Sequence, residues 1–106
     1  SRGLGDVYKR QLTARTITNT VARFAPDAAE LYVCGGGVYN KTLMQAIASH
    51  FPGLTATTEA LGVPPMEVEA AAFAWLAERF LASLPGNLPA VTRAAGPRIL
   101  GALYPR

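Results

Sequence analysis

Three consecutive glycines constrain the fold of this chain more than any other feature of the sequence. Gly35, Gly36 and Gly37 follow a short β-rich run, Glu30–Cys34, and precede a segment with helical spacing that begins at Asn40. Glycine lets a ligand approach the backbone closely, and a helix N-terminus favours negative charge. The pattern therefore predicts a strand-to-helix turn that supports a phosphate or a nucleotide. A tight turn that binds nothing is an equally weighted alternative.

The glycine turn completes neither of two common nucleotide motifs. A G-x-G-x-x-G motif needs a glycine where Asn40 stands, and a P-loop needs its second glycine at the same position. Cys34 is predicted to be a buried strand residue and not a nucleophile, because no histidine partner is evident. His50 is predicted to be a capping or surface residue near a helix end.

The order of apolar periodicities predicts an α/β fold with helices packed on a small sheet. Helical spacing alternates with short β-rich runs, and punctuation by proline and glycine separates them. The predicted elements are a helix over Leu12–Ala25, a strand over Glu30–Cys34, a helix capped by Asn40, a strand over Leu54–Thr58 and a helix over Met66–Leu84. Such alternation is typical of layered α/β proteins.

Composition limits the classes of protein to which the chain can belong. Its 106 residues allow one small domain, and only 16% of them are charged, against about 25% in a typical globular domain. We therefore expect part of its surface to be covered by something else. A single cysteine, no signal-peptide pattern and no apolar run of about 18 residues predict a cytoplasmic protein without a membrane partner.

The first eleven residues, Ser1–Gln11, are set apart from the rest. The run GDVYKRQ resembles translated library adapter at the ends of environmental sequences, so residues 1–11 are predicted to be a non-native or disordered leader. A flexible basic arm is the alternative. The net charge of the chain is +3, and this segment carries three basic side chains against one acidic. The remainder is nearly neutral, so no nucleic-acid partner is expected.

A carboxylate stands on the apolar face of the last predicted helix. At about 100° per residue, Glu69 lies within roughly 40° of Phe73, Leu76 and Phe80. Glu67 and Glu78 lie on the opposite face. A carboxylate among apolar side chains is costly to bury unless it is paired, and the helix N-terminus lowers that cost. Glu69 is therefore predicted to hydrogen-bond a neighbouring loop, to extend to solvent at the edge of the helix, or to face a polar cleft where it binds substrate hydroxyls or assists a proton transfer.

Five motifs in order carry a resemblance to a known family. They are V-C-G-G-G-x-x-N-x-x-L-M (33–44), T-T-E-A-L-G-V-P (57–64), V-E-A-A-A-F-A-W-L-A (68–77), L-P-G-N-L-P-A-V-T (84–92) and L-G-A-L-Y-P (100–105). Together they closely resemble the C-terminal end of the anhydro-N-acetylmuramic acid kinases, and the resemblance covers residues 12–106. This family belongs to the actin, Hsp70 and sugar-kinase superfamily. Residues 12–106 are thus predicted to be the C-terminal portion of the C-terminal lobe.

The resemblance implies a reaction and a set of site residues. Members of the family use ATP and water to open the 1,6-anhydro ring of a recycled cell-wall sugar and to phosphorylate O6, which gives N-acetylmuramic acid 6-phosphate. The implied cofactors are ATP and Mg²⁺, bound mainly by the other half of the protein, and the parent protein can be a homodimer. The nucleotide residues would be Gly35, Gly36, Gly37 and Asn40, and Glu69 would lie towards the sugar.

The resemblance has departures and a large gap. Lys41 stands where the family often has proline, and Arg93 stands where a small residue is common. The family's catalytic aspartate and its N-terminal phosphate-binding turn have no counterpart in residues 12–106, so this chain is expected to hold no catalytic residue and to be inactive alone. The rival hypothesis is a stand-alone, non-catalytic nucleotide-binding or interaction module.

Overall fold

The computed structural model describes residues 3–106, which form two compact units. The first unit runs to Val68 and the second is Glu69–Arg106. The elements are α1 (Leu4–Phe24), β1 (Glu30–Val33), α2 (Lys41–His50), β2 (Leu54–Thr57), α3 (Val68–Leu81) and α4 (Pro89–Thr92). Two 3₁₀ turns, Gly36–Tyr39 and Thr58–Leu61, follow β1 and β2 respectively.

The first unit is built on a parallel β-α-β arrangement. β1 pairs with β2 in parallel, from Glu30 opposite Leu54 to Val33 opposite Thr57, and α2 makes the crossover. Helix α1 packs against α2, and the shared core contains Ala14, Ala46 and Ile47. The apolar strand residues Leu31 and Val33 pack on this core. Ala14 and Ala46 are small, which lets the two helices approach each other closely. The predicted α/β class with helices on a small sheet is confirmed.

A glycine fixes the position of β2 beside β1. A Cβ on Gly53 would overlap the carbonyl oxygen of Ala29, so only glycine fits at this position. The same carbonyl accepts a hydrogen bond from the Leu54 amide at 3.0 Å. The chain therefore begins the second strand directly against the residue that precedes the first, and this contact sets the parallel register.

The predicted ends of several helices and strands differ from those in the structure. Helix α1 begins at Leu4 and not at Leu12, so 4–11 are helical although their spacing shows no apolar periodicity. The first buried residue of α1 is Ala14, so main-chain hydrogen bonds, and not burial of apolar side chains, hold residues 4–11 in the helix. Each strand is one residue shorter than predicted, and α3 occupies Val68–Leu81 within the predicted Met66–Leu84.

The predicted leader, residues 1–11, belongs to helix α1 from Leu4 onwards. Its first two residues, Ser1 and Arg2, lie outside the described residues. Whether the segment is native to this protein stays a prediction.

The second unit consists of α3 and an irregular tail held by polar contacts. The Arg79 guanidinium donates to the carbonyl of Pro85 at 2.9 Å and lies over the Trp75 ring. The Asn87 side chain donates to the carbonyl of Gly96 and accepts from the amide of Arg98. These bonds close a loop around α4, an element that the sequence does not predict.

The aromatic face of α3 is only partly covered within this unit. Leu76 and Phe80 are half-buried, and the tail around Leu100 packs against them. Phe73 keeps 63% of its surface exposed, and no residue of α3 is buried. This agrees with the low charge content, which predicts surfaces that something else covers.

No helix among residues 3–106 is both long enough and apolar enough to cross a lipid bilayer.

The backbone conformation at position 93 explains why a small residue suits this position. Arg93 caps α4 with φ 59° and ψ 22°, a left-handed conformation that costs a non-glycine residue about 1–2 kcal/mol. A glycine at position 93 would avoid this cost, but part of the gain is offset because glycine loses more conformational entropy on folding. We expect Arg93→Gly to raise the Tm of the full-length protein by about 1–2 °C in calorimetry.

The matched control is Arg93→Ala, which removes the side chain but keeps the Cβ. It should not raise the Tm, because the Cβ causes the conflict with the left-handed backbone. Equal stabilisation by both substitutions would show that the guanidinium, and not the backbone conformation, destabilises this position.

Candidate functional site

The glycine turn lies at the carboxyl edge of the parallel strand pair, where α/β proteins bind ligands. Gly35 leaves β1 with φ +84°, a conformation that side chains rarely adopt. Its amide donates to the carbonyl of Pro65 at 2.9 Å. Pro65 is buried, although it belongs to the loop that follows β2. The loops after the two strands are thus joined at this edge.

The other two glycines differ from Gly35 in what the fold requires of them. Gly36 and Gly37 form the start of a 3₁₀ turn and are exposed. A Cβ on Gly36 would meet Met66 Sδ at 4.0 Å, and one on Gly37 would meet Leu43 Cδ2 at 3.6 Å, both ordinary contacts. Among the described residues, therefore, nothing requires glycine at 36 or 37. Bare backbone at these two positions leaves the turn open to close approach by a ligand.

Asn40 has the capping role that the sequence predicts. Its Oδ1 accepts a hydrogen bond from the Leu43 amide at 3.1 Å, which caps α2. The cap fixes where the glycine turn ends and helix α2 begins. It also leaves Nδ2 as the group through which Asn40 would donate to a ligand. Lys41 follows as the first residue of α2, so the absence of proline does not prevent the helix.

Glu69 belongs to the second unit and lies in the first turn of α3. It is exposed, so no desolvation cost falls on its carboxylate within this chain. Phe73, one turn further along the same face, is exposed as well. Glu78 lies on the opposite face of α3, whereas Glu67 lies in the turn just before the helix, and both are exposed. Because Glu69 is exposed, its carboxylate needs no partner to offset burial, and it is accessible to a substrate.

The two other residues considered in the sequence have different outcomes. Cys34 is exposed, so the prediction of a buried strand residue is wrong. β1 ends at Val33, whose side chain packs on the core, and Cys34 follows it outside the strand. His50 is an exposed residue in the last turn of α2, with Nε2 3.3 Å from Gln11 Oε1, so its prediction as a surface residue is confirmed.

Sequence reasoning missed the contribution of the loop after β2 to this edge. Pro65 hydrogen-bonds Gly35, and Met66 lies beside Gly36 with 61% of its surface exposed. The available signal was the parallel pairing of two strands, because the loops that follow parallel strands meet at one edge. Within residues 3–106, no group of three or more His, Cys, Asp or Glu side chains is arranged to hold a metal ion.

A parallel β-α-β unit with helices packed on it places the chain among the layered α/β proteins. Comparison with known proteins narrows this class. Residues 6–106 match the family described as anhydro-N-acetylmuramic acid kinase. The chain belongs to this family, which has the sugar-kinase, actin-like fold.

Individual relatives agree with the family match. Anhydro-N-acetylmuramic acid kinase from Burkholderia thailandensis is 56% identical over 100 residues, which cover 90% of this chain and 26% of the relative. The kinases of the same name from Pseudomonas paraeruginosa and Cupriavidus metallidurans are 52% and 53% identical over 96 residues. They too match 90% of this chain, and 26% and 25% of their own lengths. The chain thus spans about a quarter of the length of these relatives.

A substitution in the turn tests whether a nucleotide packs on it. Gly36→Val places a branched side chain on exposed backbone, where the chain itself leaves room for it. We expect the apparent KM for ATP of the full-length protein to rise by roughly 10-fold or more, a loss of about 1.4 kcal/mol of binding. The Tm should stay unchanged. Steady-state kinetics at varied ATP concentration and a thermal melt measure both.

The control is Ala60→Val, which adds the same bulk to an exposed position in the 3₁₀ turn after β2. It should leave the KM for ATP near the wild-type value. An unchanged KM in Gly36→Val would return Gly35–Gly37 to the interpretation of a tight turn without a ligand.

Proposed function

We propose that this chain is the C-terminal portion of an ATP-dependent kinase that acts on anhydro-N-acetylmuramic acid. The complete enzyme hydrolyses the 1,6-anhydro ring and phosphorylates O6, and the product is N-acetylmuramic acid 6-phosphate in cell-wall sugar recycling. The observation that carries the proposal is the family match over residues 6–106. It coincides with a glycine turn at the carboxyl edge of the sheet, the position where this class of fold binds ligands.

On the nucleotide side, this chain would supply the surface on which ATP rests. Gly35 shapes the turn, and its bond to Pro65 holds the turn against the loop after β2. Gly36 and Gly37 offer backbone without side chains, so a nucleotide can approach to contact distance. Asn40 supplies an amide beside them. Mg²⁺ and the transferred phosphate would be bound mainly by the part of the enzyme outside this chain.

On the sugar side, the proposed residue is Glu69. A carboxylate accepts hydrogen bonds through both oxygens, and hydroxyl groups of a sugar are donors. The exposed position of Glu69 in the first turn of α3 makes its oxygens accessible. Glu69 would therefore bind and orient the sugar.

The isolated chain should not catalyse the reaction. Phosphoryl transfer depends on aligning the nucleophile with the phosphate and on stabilising the charge that develops between them. In the proposed enzyme, the aspartate that activates water and the turn that holds the phosphates lie outside these 106 residues. Activity thus requires the complete protein.

The direct test compares the full-length protein with this chain alone. Each is incubated with anhydro-N-acetylmuramic acid and Mg-ATP, and the product is identified by mass and by the position of its phosphate. We expect the 6-phosphate from the full-length protein and none from the chain. Failure of the full-length protein to phosphorylate this sugar would contradict the proposal. A cooperative melt and nucleotide binding by the chain alone would instead support an autonomous binding module.

Glu69→Gln tests the proposed contact with the sugar. The amide keeps the size of the side chain but loses its charge, and it presents donors to the sugar hydroxyls. A hydrogen bond to a charged group contributes roughly 1.5–3 kcal/mol. We therefore expect kcat/KM for the anhydro sugar to fall by about 10- to 100-fold in the full-length enzyme. The KM for ATP should change little, because the nucleotide is assigned to the glycine turn.

Glu67→Gln and Glu78→Gln are the matched controls, since both carboxylates are exposed, Glu78 on the opposite face of α3 and Glu67 in the turn before the helix. Neither should alter kcat/KM appreciably. Equal losses at all three positions would mean that the charge of the region, and not the face occupied by Glu69, affects activity.

A further inference from the structure

We propose that Met66 contacts the nucleoside portion of the bound nucleotide. The proposed ligand class is a purine nucleoside phosphate, with its flat base packed against the surface that the Met66 thioether and the bare backbone of Gly36 form side by side. This inference rests on the nucleotide role proposed for the glycine turn. It assigns a binding and specificity function to a residue of the loop after β2.

The position of Met66 is fixed relative to the glycine turn by main-chain geometry. The preceding residue, Pro65, is buried and accepts the Gly35 amide at 2.9 Å. Glu67 then closes a turn by donating its amide to the carbonyl of Pro64 at 2.9 Å. Between these two anchors, the Met66 side chain lies with Sδ 4.0 Å from the position that a Cβ on Gly36 would occupy.

The side chain lies next to the turn without being used as core. Met66 keeps 61% of its surface exposed, and its neighbour Gly36 is exposed as well. The unbranched Met66 thioether and the Gly36 backbone, which lacks a Cβ, together form an adaptable apolar surface. The sulfur is polarisable and packs favourably against aromatic rings. The nucleoside is the part of a nucleotide that presents such a ring, whereas the phosphates require donors and cations.

Oxidation of methionine in the full-length protein tests the contact without measuring turnover. Dilute hydrogen peroxide converts exposed methionine to its sulfoxide, and peptide mass spectrometry follows each site. We expect saturating ATP or adenosine to slow oxidation of Met66 by roughly 3- to 10-fold, because mass action leaves little free protein. Tripolyphosphate, which lacks the nucleoside, should not slow it. Met44, half-buried in α2, is the internal control and should be unaffected by any of the three.

A pair of variants tests the energetic role of the same contact. Met66→Ala should weaken adenosine and ATP binding, measured by calorimetry, by about 2- to 10-fold. Met66→Leu should restore most of the affinity, since it keeps an apolar side chain of similar volume. Leu61→Ala is the matched control, because Leu61 lies in the same loop with 60% of its surface exposed. It should bind both ligands as the wild type does.

The outcomes separate this inference from the function on which it rests. If the wild type binds ATP but neither ATP nor adenosine protects Met66, the inference is wrong while the proposed kinase function stands. Protection by tripolyphosphate but not by adenosine would likewise overturn it. If the wild type binds no nucleotide, the role of the glycine turn and the inference both fail. Full-length protein that binds ATP but does not phosphorylate the anhydro sugar would contradict the proposed substrate alone.

Discussion

A single main-chain hydrogen bond, from the Gly35 amide to the Pro65 carbonyl, organises the edge of the sheet where the candidate site lies. It joins the loop after β1 to the loop after β2, although thirty positions separate the two residues in sequence. Gly35 leaves β1 with a positive φ of 84°, which residues other than glycine rarely adopt. Everything attributed to the first unit as a ligand surface depends on this junction, since it holds bare backbone and an exposed thioether side by side.

The sequence predicts much of this fold because its local signals agree with one another. The order of β1, α2 and β2 follows from short β-rich runs around a helical period, and Asn40 marks the start of α2 by a capping preference that the structure confirms. Other features depend on contacts distant in sequence. The helical state of 4–11 has no apolar periodicity to reveal it, and the burial of Pro65 follows only from the pairing of two parallel strands.

The candidate site residues also have some features that local sequence signals predict and others that only the structure shows. The three glycines are conspicuous in the sequence, but only the structure separates Gly35, which the backbone requires, from Gly36 and Gly37, which it does not. Glu69 is conspicuous in the sequence because it lies on the apolar face of α3. Its carboxylate is exposed, so it bears no burial cost, but it lies on the predicted face. Periodicity defines a direction around a helix, whereas burial depends on what is packed against it. The sequence pattern of α3 therefore specifies the face on which Glu69 lies but not its environment.

The two-stranded sheet has a consequence for the chain as an isolated molecule. Each strand has one neighbour in the described structure, so each presents a row of main-chain amides and carbonyls along its other side. Such unpaired edges are templates for a strand from another molecule, and parallel pairs are rarely stable without helices and further strands around them. Proteins commonly protect such edges with charges, bulges or a covering segment. In this chain, by contrast, β2 begins with the exposed apolar residue Leu54. Expressed by itself, this chain would be prone to strand-to-strand aggregation, and its yield from cells would be governed by edge pairing as much as by its core.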